Sequence, residues 1–145
     1  PETNEKYIPT VIEYSIGADR LTLAILCNSY EEEQLENDTR EVMHFHPAIA
    51  PYKVAVLPLV KKYHTEKALE VFNDLSKYFM CAYDETGSIG KRYRREDVIG
   101  TPYSITIDDE TLNNNTVTVR DRDTMEQITI NLDELVQYIG DKIKF

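Results

Sequence analysis

Long apolar runs are missing from this chain: nothing in it approaches the roughly 20 consecutive apolar residues that a membrane-spanning helix requires. A basic stretch leading into a short apolar core is missing too, so no secretory leader is visible. Cysteine is scarce. Cys27 and Cys81 stand alone, with no C-x-x-C spacing. That excludes a disulfide scaffold, fits a reducing compartment, and leaves both expected as small buried hydrophobes. Metal-ligand patterns are equally thin. His44-Phe45-His46 could point two imidazoles the same way along a strand, but no third ligand lies near in sequence, and no metal is expected. Positive charge is in deficit, with 16 basic residues against 26 acidic ones and a formal charge of −10. That balance argues against unspecific nucleic-acid binding. Internal repeats and low-complexity tracts are absent as well.

What is present is enough for a core. The 145 residues are 41% hydrophobic, the size and composition of one ordinary domain with a partial second one. The acidity is uneven. Residues 1–50 hold ten acids and three bases, so −7 of the −10 falls there and residues 51–145 carry only −3. Within the second part, Lys91-Arg92-Tyr93-Arg94-Arg95 packs four cations around a tyrosine. A local patch on a neutral-to-acidic body suits a protein that reads one nucleic acid at one place.

Tyr7 to Tyr14, with Pro9 at its edge, reads as an extended segment. Leu21, Ala24, Ile25 and Leu26 predict a largely buried helix from Ala18 to about Tyr30. Glu31 through Arg40, charged and containing Asn37-Asp38, reads as an exposed helix end and linker. A second unit begins near Pro47. In it, Val54 to Leu59 is a short continuous apolar run, the pattern of a strand buried on both faces of a parallel sheet. Thr65 is a candidate N-cap for a helix carrying Ala68, Leu69, Phe72, Leu75 and Phe79 on one face. Phe79 to Asp84 gives a second strand and completes a β-α-β unit. Gly87 to Gly100 carries the basic cluster on a short helix or loop. Three strand-like runs follow: Tyr103 to Ile107, Thr116 to Val119 and Gln127 to Ile130. Their alternation predicts antiparallel pairs with one face exposed, joined by turns at Asp108 to Asn115 and Arg120 to Thr124. Asn131, with Glu134 three residues on, caps a last helix whose stripe is Leu132, Leu135, Val136, Ile139 and Ile143.

The stretch with the most chemistry lies near the N-terminus: Glu13-Tyr14-Ser15-Ile16-Gly17-Ala18-Asp19-Arg20. On a strand, Glu13 and Ser15 point to one face, and a carboxylate beside a hydroxyl suits a small ammonium group. Gly17 allows a tight turn or close ligand approach. Arg20, one helical turn on, can reach a phosphate or stack on a flat base. Taken by itself the pattern is more readily that of a surface strand with a salt-bridged arginine.

In order and spacing, Val11-Ile12-Glu13-x-Ser15-x-Gly17-x-Asp19-Arg20-Leu21 resembles motif 3 of the class II aminoacyl-tRNA synthetases, in the form carried by the glycyl-tRNA synthetase family. Tyr14 departs from the proline that many relatives carry. The resemblance continues through Asp38-Thr39-Arg40, Pro47 to Val54, Gly87 to Tyr93, Asp97 to Tyr103 and Thr118 to Gln127. It implies an α/β fold: a mixed five-stranded sheet flanked by about three helices, the anticodon-binding domain of that class, preceded by a strand-helix remnant of a catalytic domain. Residues 1–30 would be the remnant, 31–47 a linker and 48–145 the anticodon-binding domain. Glu13 and Ser15 would bind glycine and Arg20 would contact ATP, with Mg2+ in the parent enzyme. The parent would be a cytoplasmic homodimer, with mitochondrial use also open, that activates glycine and transfers it to tRNA(Gly). Without the other class-defining motifs, the chain itself is expected to bind tRNA and not to aminoacylate it.

A glycine anticodon carries cytosine at its second and third positions. Cytosine is read by a carboxylate or carbonyl paired with an arginine, and unpaired bases stack on aromatic or guanidinium planes. Arg92, Tyr93 and Arg94 in one loop, and Arg120, Asp121, Arg122 and Asp123 in another, are the candidate readers, expected to converge at one sheet edge. The second group is also readable as a turn of mutually paired charges. Alternatives of another class stay open. One is a non-catalytic binding module like the accessory subunit of mitochondrial DNA polymerase, which has no reason to keep Glu13, Ser15 and Arg20. Another is a histidyl-, prolyl- or threonyl-tRNA synthetase tail, which lacks the Glu13-x-Ser15 pair; a freestanding interaction domain is a third.

Overall fold

A computed structural model describes residues 6–35 and 38–144. Asn37, part of the expected linker, and the first five residues lie outside the described residues. The chain runs through α1 (Ala18–Ser29), β1 (Tyr30–Gln34), β2 (Thr39–Met43), β3 (Val54–Pro58), α2 (Lys61–Leu75) and β4 (Cys81–Tyr83). It continues through α3 (Ile89–Ile99), β5 (Tyr103–Ile107), α4 (Asp109–Asn114), β6 (Thr116–Asp121), β7 (Gln127–Asn131) and α5 (Leu132–Lys142). β1 and β2 form an antiparallel hairpin, and the other five strands form one mixed sheet in the order β4-β3-β5-β6-β7. β3 runs parallel to both β4 and β5, whereas β5-β6 and β6-β7 are antiparallel. The expected mixed five-stranded α/β sheet is therefore present. No helix among the described residues is long and apolar enough to cross a membrane.

Alternation decides which face of the sheet is the core. Val54, Val56, Ile105, Ile107, Val117 and Val119 form one buried cluster with Ala68, Val71 and Leu75 of α2 and Leu135 and Ile139 of α5. Those helical residues recur every three or four positions, so each helix presents one stripe. With a side-chain period of two, Ala55, Leu57, Ser104, Thr106, Thr118 and Arg120 must face the opposite way. There they meet α3: Tyr93 Oη and Thr106 Oγ1 are 2.6 Å apart, and Arg120 bonds Asp97. β3 is buried on both faces, as its unbroken apolar run predicts.

Several local expectations are corrected. α2 begins four residues before Thr65, whose Oγ1 instead donates back to Lys61 O at 2.7 Å within the helix. His64 closes the N-terminus: its Nδ1 accepts from Val60 N–H at 3.0 Å, and its Nε2 lies 3.0 Å from Asp109 Oδ1. Residues 108–115 are more than a turn, because Asp108 and Thr111 close a reciprocal capping box and start α4. The basic cluster lies on a helix, ended by Gly100 at φ +87°; a Cβ there would meet Phe45 Cδ2 at 2.5 Å. Asn131 caps α5 by accepting from Asp133 N–H.

The N-terminal part departs furthest from expectation. Residues 7–14 are exposed and form no strand, since a strand needs a hydrogen-bonded neighbour and none of the described strands pairs with them. α1 is a helix, but of its residues only Ser29 is buried. The acidic stretch expected as a helix end is the β1-β2 hairpin, pinned to α3 by Arg40. Cys27 is exposed and Cys81 half-buried, both free, so the expectation of two buried thiols fails for Cys27.

Candidate nucleic-acid interface

The polar face of the sheet is organised in cross-strand rows. Register places Thr106 opposite Thr118 and Thr118 opposite Thr129; the neighbouring row is Ser104, Arg120 and Gln127. Near α3, Ser104 and Thr106 are buried, whereas Thr118 is half-buried and Thr129 and Gln127 are exposed. α3 thus covers half of this face and leaves the β6-β7 half open. Hydroxyls and an amide there offer donors and acceptors without the apolar surface that drives burial by protein.

At the closed end, one carboxylate holds two arginines. Asp97, fully buried, accepts from Arg120 Nη1 at 2.8 Å and Nη2 at 3.1 Å, and from Arg40 Nη1 at 3.3 Å. The Arg120 guanidinium also lies 4.9 Å from the centre of the Tyr93 ring. Arg40 reaches back to Glu33 with Nε at 2.7 Å and donates from Nη1 to Arg122 O at 2.7 Å. Arg122 donates to Gly100 O and Phe45 O, each at 2.8 Å, and from Nε to Asp123 Oδ1 at 2.7 Å. Burial opposes ionisation of Asp123, but Arg122 and His44 outweigh it and hold the carboxyl below its usual range.

The two predicted groups are thus brought together in part. Tyr93 meets Arg120, while Arg94 and Asp123 both turn to the hairpin, pairing with Asp38 at 3.1 Å and His44 at 2.6 Å. Asp121 shapes its turn, accepting from the N–H groups of Asp123 and Thr124. Arg92 goes elsewhere: it is buried and donates to Pro58 O at 2.5 Å and Leu59 O at 3.4 Å, where β3 ends. Lys91 and Arg95 remain exposed, Arg95 donating to Asp84 at 2.8 Å. Glu13, Ser15 and Arg20 are all exposed, Arg20 in the first turn of α1. His44 takes part in the one metal-ligand grouping found among the described residues, with Glu31 and Glu33, whose donor atoms lie within 4.8 Å of one another. His46 is not part of it. Those groups already pair among themselves, His44 Nε2 standing 2.9 Å from Glu33 Oε1.

Comparison with known proteins gives this face its context. A family model described as "Anticodon binding domain" matches residues 53–142. The chain belongs to that family. Over its whole length it is 62% identical to the glycine–tRNA ligase of Clostridium tetani, 61% to that of Bacillus anthracis and 58% to that of Staphylococcus haemolyticus. It spans only 31%, 31% and 32% of those proteins, respectively. Among solved structures, the RNA binding domain of threonyl-tRNA synthetase from Cryptosporidium parvum matches with a TM-score of 0.63 at 24% identity, over 68% of this chain and 25% of that one. At that identity the likeness establishes the fold alone.

Sequence reasoning singled out the charged candidates and passed over the threonine surface beside them. Thr106, Thr118 and Thr129 alternate with aliphatic residues in all three antiparallel strands, so a shared threonine face was available as a signal. Asp97 and Arg40 carried no such signal; their pairing joins positions 57 residues apart.

Proposed function

We propose that residues 48–145 bind the anticodon loop of a glycine tRNA, as the C-terminal part of an ATP-dependent glycine–tRNA ligase. The observation that carries the reading is the half-open threonine face of β5-β6-β7, walled by α3, whose half-buried Tyr93 lies against the buried Arg120 guanidinium. A splayed base laid there would find hydroxyl and amide partners on the sheet and the half-buried Tyr93 ring at the wall. Asp123, in the turn after β6, is the carboxylate offered to cytosine N4, with Asp121 shaping that turn; Arg94 serves the phosphates. Arg92 and Arg122, both buried on backbone carbonyls, support the site by holding its walls.

In the full-length enzyme, which would use ATP with Mg2+, Glu13 and Ser15 would receive the glycine ammonium, and Arg20 the phosphates of ATP. The carboxylate of glycine would attack the α-phosphorus of ATP, forming glycyl-adenylate and releasing pyrophosphate. The glycyl group would then pass to the terminal ribose of the tRNA, releasing AMP. This chain binds tRNA only; the parent is a cytoplasmic homodimer.

Binding of the chain to tRNA(Gly), and to variants with either anticodon cytosine replaced by uracil, tests the reading. A good base-edge contact is worth about 1–3 kcal/mol, so each replacement should weaken binding by about fivefold or more. Equal affinities at moderate salt would refute direct readout by this domain.

A further inference from the structure

The segment Leu59-Val60-Lys61-Lys62-Tyr63 leads out of β3 and through the first three residues of α2, and the function proposed above makes no use of it. Its apolar side chains are exposed: Leu59 by 41%, Val60 by 43% and Tyr63 by 62%. The residues on either side, Pro58 and His64, are buried. An exposed apolar cluster of this kind, where a strand passes into a helix, is a candidate binding surface.

The segment is rigidly held. Leu59 N–H donates to Ile107 O at 2.8 Å, and Arg92 donates to the carbonyls of Pro58 and Leu59. Val60 N–H donates to His64, which is itself anchored on Asp109. Lys61 is paired with Glu85. Nothing in this bonding needs the Tyr63 ring, which stands out from it with Lys62 Nζ 5.4 Å from its centre.

Position supplies the rest. The segment begins at the C-terminal end of β3, on the rim where parallel β4 and β5 also end. In open α/β sheets, ligands gather outside the carboxyl ends of the strands. The open polar face reaches the same rim, since Thr116 and Asn131 pair there, beyond the Thr106-Thr118 row. β3 lies two strands from β6, about 10 Å at the usual strand spacing. An aromatic ring with a cation beside it, held rigidly, suits a nucleobase with its phosphate.

We infer that Tyr63 is a base-stacking residue of this RNA surface, with Lys62 taking an adjacent phosphate; the inference rests on the anticodon-loop reading above. One unpaired base of the loop lies on the Tyr63 ring at the rim, while its neighbours cross the threonine face.

The test uses a fluorescently labelled anticodon stem-loop of tRNA(Gly), and versions in which each loop nucleotide in turn is abasic, titrated with the chain and its variants. Tyr63→Phe should bind within about twofold of wild type, because the π-face is kept. Tyr63→Ala should bind about tenfold more weakly, in the range found when aromatic stacking partners are truncated. One abasic position should weaken binding to wild type and not to Tyr63→Ala, the non-additivity expected of groups in contact. Lys62→Ala should lower the salt dependence of binding without changing the preference among loop sequences. If Tyr63→Ala, shown to be folded by circular dichroism, binds like wild type, the inference is overturned. Equal losses on every abasic stem-loop would overturn it too. Failure of the wild-type chain to bind any stem-loop would instead refute the anticodon-loop reading on which it rests.

Discussion

Replacing Asp97 by alanine should be among the most damaging single changes in the chain. The carboxylate is fully buried and accepts three hydrogen bonds from two arginines. Arg40 keeps other partners when Asp97 is gone, namely Glu33 and the Arg122 carbonyl. Among the described residues, Arg120 keeps only the Tyr93 ring. A buried guanidinium would thus lose its counter-charge, and breaking a buried pair from one side costs about 3–5 kcal/mol. Against the roughly 5–15 kcal/mol that holds a domain folded, this is a large share. Urea unfolding followed by circular dichroism provides the assay. With a slope of about 2 kcal/mol per molar, the midpoint should fall by about 1.5–2.5 M. The variant lacking both Asp97 and Arg120 should be less destabilised than the sum of the single variants by at least about 1 kcal/mol, because it buries no orphaned charge. A loss under about 1 kcal/mol for Asp97→Ala would refute the reasoning and mean that Arg120 reaches water.

Gly100→Ala forces a side chain into the left-handed region, with its Cβ at 2.5 Å from Phe45 Cδ2 and 2.9 Å from Met43 O. Strain of about 1–2 kcal/mol from the backbone alone, plus the clash, should lower the melting temperature by about 10 °C or more; an unchanged melting temperature would contradict the close packing of hairpin on α3. Burial holds the Glu96 carboxyl above its usual range, against the hydrogen bond from Thr101. A raised folded-state value means that its contribution is fully present below about pH 4.3 and is lost as the pH climbs through that raised value. Glu96→Gln keeps an acceptor for Thr101 and removes the titration, so its stability should fall less than that of wild type between about pH 4 and pH 7. Parallel stability curves would refute this.

Much of the architecture was legible because it is written locally. A continuous apolar run marks β3, alternation marks β5, β6 and β7, and Asn131 before an amphipathic stripe marks α5. These signals depend on periods of two and 3.6 residues, which any stretch of chain carries by itself. The basic cluster stood out as a run of neighbouring cations, and tertiary structure decided where each of its side chains goes. The hairpin could not be read from Glu31 to Arg40, because strand pairing rewards contacts across a loop and the acidic run masks the alternation of buried Arg40 and Val42. Thr65 looked like a cap, but it lies inside α2, and the Val60 N–H is taken by His64, whose far nitrogen meets Asp109 beyond the end of β5. Arg92, Arg120 and Arg122 read as surface cations from their neighbours in sequence, yet all three are buried. A long side chain is buried when a carboxylate or a row of carbonyls is waiting at its end. Asp97 comes from a helix 23 residues before Arg120, and the Phe45 carbonyl from a loop 77 residues before Arg122, so folding alone chose which charges face solvent and which hold the domain together.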